Sequence, residues 1–440
     1  MTKNRRDINS LSQTELDDYI HALGILRARS AADPDDPTGY DFQAALHNDM
    51  FVGPCEHGSD LFLPWHRSHL YHFEKLLQES DPPRTADVTL PYWDWLHPEA
   101  AGKFPPAFAL PGLAAERNDV ATDLPPDTLQ IVTQETDQGA FGGYPAAHPG
   151  GDYGRLELGP HNYMHGVFIG GDMGDPSTAA QDAIYFSFHT FIDLLWAEWQ
   201  RRNGAPPVTS PDHDLRGFLS QAKHKVADFA DTVALGYEYE YTERLKKAFA
   251  VPVPAPVERS LLATRPLSLV AAPDFATQMR EASRAQFGLV AAPKEGREVV
   301  VRLDELKIPL TGSYLLHAYV HPGDVPFRAD DAEFADRYGV GYAVLWRAHA
   351  GPADGGHDDG GHEHGAGHDG GGRQPHPHHP SSCTVRFDVT AVLAESPADL
   401  GTQVLTLQYS PAPTATGQPE SPPELVQEVA LKDVMMEVYG

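Results

Sequence analysis

Apolar positions in the first 250 residues recur at helical intervals. Leu16, Ile20, Leu23, Ile25 and Leu26 approximate one stripe, and Ser12 with Glu15 three residues later gives a capping-box start ahead of it. A second helix is expected over 63–77, ended by Asp81-Pro82-Pro83. A third should carry residues 161–165 and a fourth residues 180–202. Between them, 96–160 is rich in Gly, Pro and Asp and predicts long irregular loops. Val251-Pro252-Val253-Pro254-Ala255-Pro256 is a stiff, extended break. From Arg297 the period changes to two, in Val299–Leu303, Tyr314–Val320, Tyr342–Trp346, Thr384–Val389 and Gln403–Tyr409. The expected architecture is therefore a mainly α N-terminal domain over 1–250, arranged as a four-helix bundle. A linker over 251–296 follows, then an antiparallel β-sandwich over 297–440. Gly351–Pro380 interrupts that sandwich with Gly, His, Asp and Pro, a composition expected to be disordered.

Charge and cysteine content narrow the setting. A net charge of −29 over 440 residues argues against nucleic acid and anionic membrane as partners. No apolar run is long enough to span a bilayer, and the N-terminus lacks the apolar stretch of a secretory signal. Two cysteines, Cys55 and Cys383, point to a reducing, cytoplasmic location, although export by a helper protein would leave the same pattern. A homo-oligomer is compatible with all of this.

The candidate chemistry lies in six histidines that form two triplets. His47, His57 and His66 make the first; His161, His165 and His189 make the second. Three imidazoles per site without a thiolate pair suit a nitrogen-preferring metal, copper or zinc. His161 and His165 are four apart and share a helix face. Such a pair in isolation is more often packed or solvated than ligating. His189 shifts the balance, because it lies in the apolar run Tyr185–Trp196 and both its ring nitrogens need partners. Asp193, four residues on, is a candidate carboxylate behind one of the histidines; a plain helix ion pair is the simpler role. His69 competes with His66 as a ligand. The seven histidines of the 351–380 insert could capture copper, or could simply be part of a solvated loop.

The flanks of these histidines resemble those of type 3 copper proteins: tyrosinases, polyphenol oxidases and molluscan-type haemocyanins. The matching blocks are His57-Gly58 nine residues before His66 in Trp65-His66-Arg67, Phe73-Glu74, and Pro91-Tyr92-Trp93-Asp94-Trp95. Pro160-His161-Asn162 with His165, Gly170–Met173, and Asp182 through His189 to Trp196 complete them. The resemblance implies two copper ions, one held by His47, His57 and His66 and one by His161, His165 and His189, with O2 as co-substrate. It implies oxidation of o-diphenols to o-quinones, with o-hydroxylation of monophenols, on a small phenolic substrate. A haemocyanin-like oxygen carrier and an o-aminophenol oxidase are the alternatives, and a single unit favours the enzyme. It further implies that Cys55 joins His57 through a thioether, and that Glu157 and Asn162 orient a base water, with Asp152 as an alternative carboxylate. The C-terminal domain would cover the site with a placeholder side chain, mapped to Leu345, leaving the enzyme latent until displaced. Phe188 departs from the family, where His-His is common at 188–189.

Overall fold

The computed structural model describes residues 2–47, 54–97, 103–119, 122–145, 152–254, 260–271, 283–288, 297–307, 313–328, 331–346, 382–395, 403–411 and 433–440. The His-rich insert at 351–380 lies outside the described residues. Four helices bear on the site: α1 (Gln13–Ala32), α2 (Tyr40–Leu46), α3 (Phe62–Ser80) and α4 (Ile184–Arg202). The Ser12/Glu15 capping box is present at the start of α1. Helices α3 and α4 pack together through Phe73 and Phe186, whose rings stack at 3.6 Å. None of the helices described is long and apolar enough to cross a membrane.

The third expected helix is not a regular α-helix. Glu157–His161 and Met164–Ile169 are π-helical, with Pro160 inside the first. Proline has no N–H to give to the carbonyl four residues back, so the turn widens and the Asn162 N–H reaches the Glu157 carbonyl five residues back. The four-helix reading also differs at His47 and His57. His47 caps the end of α2 and His57 sits in the loop before α3, so two of the six histidines come from outside any helix.

Two antiparallel sheets form the C-terminal half. One has the order β4-β5-β10-β7-β8 (Ser268–Ala271, Ser283–Gly288, Gln403–Pro411, Tyr314–Pro322, Gly339–Leu345). The other is β3-β11-β6-β9 (Leu261–Pro266, Asp433–Tyr439, Glu298–Lys307, Ser382–Asp388). Val299, Val301 and Leu303 of one sheet share a single apolar core with Leu316, Ala318 and Val320 of the other, each set at alternate positions. The interval expected to be a linker, 251–296, instead contributes β3, β4 and β5. Helices also intervene between strands, at Ala332–Tyr338 and Thr390–Glu395, where none was expected.

The sheets are bonded to the helical half. Asn162 Nδ2 donates to the Val344 carbonyl at 2.9 Å, Tyr342 OH donates to Asp127 at 3.0 Å, and Trp346 Nε1 donates to the Gly174 carbonyl at 2.9 Å. Arg386 pairs with Asp152, so the alternative carboxylate is used at this junction.

A buried ionic hub holds α3 against α4. Strand β1 (Lys3–Arg5) pairs in parallel with β2 (Tyr237–Tyr239), which brings Arg5 into the interior. Asp193 accepts from Arg67, from Arg5 Nη1 at 3.4 Å, from Tyr237 OH at 2.7 Å and from Tyr239 OH. Glu74 completes the set with Arg5 Nε at 2.9 Å. Both guanidiniums also lie 3.6 Å over aromatic rings, Arg5 over Tyr237 and Arg67 over Trp196. Burial raises the Asp193 pKa, but Arg67 and then Arg5 outweigh it, so the carboxyl is held below its ordinary value. Asp193→Asn should cost roughly 3–5 kcal/mol, because two buried guanidiniums lose their shared counter-charge. Asp193's contribution is present above the ordinary Asp value of about 3.9 and is lost as pH falls through its lower folded value. Urea unfolding should therefore show the variant and the parent converging below about pH 4.

Candidate metal centre

All six histidines of the two triplets converge in the interior, and none is more than marginally exposed. Their rings pair across the triplets. His66 stacks on His189 at 4.4 Å with planes 8° apart, His47 lies parallel to His165 at 6.1 Å, and His57 faces His161 at 5.6 Å. Phe62, Phe188 and Tyr185 wall the cluster. Phe62 is 4.7 Å from both His66 and His161, Phe188 is 5.0 Å from His165, and Tyr185 is 4.3 Å from His189.

Outer hydrogen bonds fix which nitrogen carries the proton. Nδ1 of His47 donates to the Pro176 carbonyl at 2.9 Å, that of His66 to Phe62 at 2.8 Å and that of His165 to Met173 at 2.9 Å. His57 Nδ1 donates to Glu157 Oε1 at 2.8 Å, and the Gly58 N–H donates to both Glu157 oxygens at 3.0 Å. Gly58 has φ +67°, a conformation that suits glycine and aims its N–H at the carboxylate. His161 Nδ1 donates to Asn162 Oδ1 at 2.9 Å; the amide is oriented by its own Nδ2 bond to Val344. A carbonyl or carboxylate oxygen can only accept, so in a neutral ring each Nε2 is left as a bare lone pair.

Those lone pairs face one another. His47 Nε2 is 3.3 Å from His57 Nε2, His165 Nε2 lies 3.1 Å from the Nε2 of His189, a ring whose proton no outer bond fixes, and buried His161 Nε2 has no partner among the described residues. The opposed lone pairs of His47 and His57 repel at this distance unless a cation sits between them, and the donor set fits a pair of nitrogen-bound metal ions. Donor atoms of His47, Cys55, His57 and His66 lie within 4.8 Å of one another, as do those of His66, His161 and His189. His66 belongs to both groups, as expected of two closely spaced positions.

Several expected roles move. Asp193 touches no histidine; its oxygens serve the Arg5–Arg67 hub. His69 is no ligand, since Nε2 meets the Gln43 carbonyl at 3.0 Å and Nδ1 meets Tyr185 OH at 3.3 Å. Glu157 and Asn162, assigned to orient a base water, here hold the rings of His57 and His161. Leu345 is not the placeholder, because it faces the core between the sheets. The next residue, Trp346, faces the histidines and stacks on His165 at 4.3 Å, with His57 at 5.8 Å. Strand alternation carried that signal: Ala343 and Leu345 point one way, Val344 and Trp346 the other. Cys55 forms no disulfide, and its Sγ is 3.9 Å from His66 Nε2.

Burial pushes the pKa values of His47, His66, His161, His165 and His189 well below the ordinary imidazole value, and neighbouring rings add to the effect. Burial raises that of Glu157, against the His57 hydrogen bond. For the histidines the unfolded chain binds more protons, so the stability of metal-free protein must fall as pH drops through about 6.5. Each imidazole contributes about 1.4 kcal/mol per pH unit there. Denaturant titrations of metal-free protein at pH 7.5 and 5.5 should show a steep loss at the lower pH; a flat profile would contradict neutral buried rings.

Comparison with known proteins agrees with this geometry. The family model for the common central domain of tyrosinase matches residues 37–113 and 108–202. A tyrosinase of Hahella sp. (strain CCB-MM4) is 30% identical over 319 residues, which span 59% of this chain and 66% of that one. The tyrosinase of Streptomyces lincolnensis is 31% identical over 210 residues, 38% of this chain and 74% of that one. Among solved structures, a latent aurone synthase (polyphenol oxidase) from natural source superposes with a TM-score of 0.65 at 17% identity. That match covers 99% of this chain and 88% of that one, a likeness of fold. A convergent six-histidine cluster inside a matching central domain leads to one conclusion: this chain belongs to the tyrosinase family of type 3 copper oxidoreductases.

Proposed function

We propose that the chain oxidises o-diphenols to o-quinones with O2 and hydroxylates monophenols at the ortho position, using two copper ions. His47, His57 and His66 would hold one, and His161, His165 and His189 the other. The observation that carries this reading is the set of Nδ1 anchors, which leaves the Nε2 lone pairs pointing at one another. When bound, the copper pair supplies electron exchange between dioxygen and the phenol. The protein's part is positional. Glu157 and Asn162 hold His57 and His161 in place, and the aromatic wall of Phe62, Tyr185 and Phe188 excludes water from the rings. In this reading Cys55 becomes joined to His57 through a thioether once copper and O2 are present.

Trp346 supports a second element of the proposal, latency. Its ring lies against His165 where an aromatic substrate would approach, and its indole N–H is bonded to the Gly174 carbonyl. The C-terminal half is then an inhibitory cover whose contact residue is Trp346.

Two measurements test the reading. Copper-loaded protein given catechol and tyrosine should consume O2 and form quinone from both. Reversible O2 uptake without turnover of either would favour the carrier alternative. Trp346→Ala removes a stacking contact of about 0.5–1.5 kcal/mol. It should therefore raise kcat/KM for catechol by up to about ten-fold. An unchanged or lower value would remove Trp346 from the role of cover.

A further inference from the structure

Cys55 is placed where a metal ligand would be. It is fully buried, and its Sγ shares a 4.8 Å cluster with the donor atoms of His47, His57 and His66. A tetrahedral site with metal–nitrogen bonds of about 2.05 Å and a metal–sulfur bond of about 2.3 Å has edges of about 3.3 Å between nitrogens and about 3.6 Å between nitrogen and sulfur. The His47–His57 edge is 3.3 Å and the Cys55–His66 edge is 3.9 Å. The loop carrying the cysteine is tied to α3 through Arg216. Arg216 Nη2 donates to the Cys55 carbonyl at 3.3 Å, and Trp65 Nε1 donates to the Arg216 carbonyl at 3.0 Å. At the neighbouring position, the partnerless Nε2 of buried His161 points independently to a cation in this cluster.

We infer that in the chain whose cysteine is still a thiol, Cys55 is the fourth ligand of the first metal position, closing it as a three-histidine, one-cysteine site. This rests on the reading of the six histidines as a metal centre. On binding, the Sγ–H proton is released to solvent as the sulfur–metal bond forms, and no electron is transferred. Four protein ligands make a closed site of the structural kind, whereas catalysis needs an open position. The soft thiolate moves the preference of this position towards zinc and cuprous ion. The unlinked protein therefore holds its first metal in a form with no coordination position for dioxygen. Activity at that position then begins only when the sulfur leaves the metal.

Cobalt(II) is the probe. The full chain is produced with copper withheld, and its mass is measured to establish that Cys55 is unlinked. Added Co2+ should give a thiolate-to-cobalt charge-transfer band and the intense visible bands of four-coordinate cobalt. The charge-transfer band should be lost in Cys55→Ser and kept in Cys383→Ser, with cobalt still bound to both. Cobalt bound to the parent chain without a thiolate band overturns the inference and leaves the six-histidine reading intact. That outcome needs no variant to fold. A band that survives in Cys55→Ser, or a parent chain already two hydrogens lighter without copper, also overturns it. Failure of the parent chain to bind cobalt at all would overturn the metal centre itself.

Discussion

Six neutral imidazoles can crowd together in an apolar interior only if groups outside the cluster dictate which nitrogen of each ring keeps its proton. The rest of the site depends on that constraint. The carbonyls of Phe62, Met173 and Pro176, the Glu157 carboxylate and the Asn162 amide serve it by offering an oxygen to an Nδ1 atom, and the Gly58 N–H holds the carboxylate in place. The donors that result are unfavourable by themselves. Without a cation they are opposed lone pairs in a medium that screens poorly, so the fold stores a standing demand for positive charge. His189 is the exception: no acceptor meets its Nδ1 among the described residues, and its orientation rests on stacking against His66.

The scaffold meets that demand by being stiff around the cluster rather than within it. Arg67 follows His66 by one residue, and Asp193 follows His189 by one helical turn. The Arg67–Asp193 pair therefore clamps the two helices that carry these histidines. The clamp is itself buried and costly to desolvate, and two tyrosine hydroxyls and a second arginine share the charge. Rings are thus aimed by short local hydrogen bonds, while helix separation is set by a longer-range ionic one. Damage to either has a different signature.

Much of this was legible in the sequence because ligand histidines and their flanks are local patterns. The Ser12 cap and the helices expected over 63–77 and 180–202 follow from spacing, and the six convergent histidines from their spacing together with the family resemblance of their flanks. What was not legible depends on backbone geometry and on distant partners. Pro160 widening a helix into a π-turn, carbonyls of Pro176 and Met173 serving as acceptors, and Asp193 turning towards Arg5 all require the folded chain. The strands at 261–288 were missed because their alternation is short and interrupted. Trp346 was missed by a single position, which in a strand is the difference between one face and the other.

Among the described residues, strand β8 is the outermost strand of its sheet and pairs only with β7. Its last pair in the ladder, Leu345 with Tyr314, immediately precedes Trp346. The tryptophan is therefore hung from the fraying end of an edge strand, the least costly part of a sheet to open. If Trp346 is the cover proposed above, uncovering the histidines does not require the two halves of the protein to separate. It requires an indole hydrogen bond, a stacking contact and the terminal rung of one ladder to yield together. Access to the centre would thereby be linked to the local melting of a strand end, and so to temperature and denaturant well below the conditions that unfold the whole.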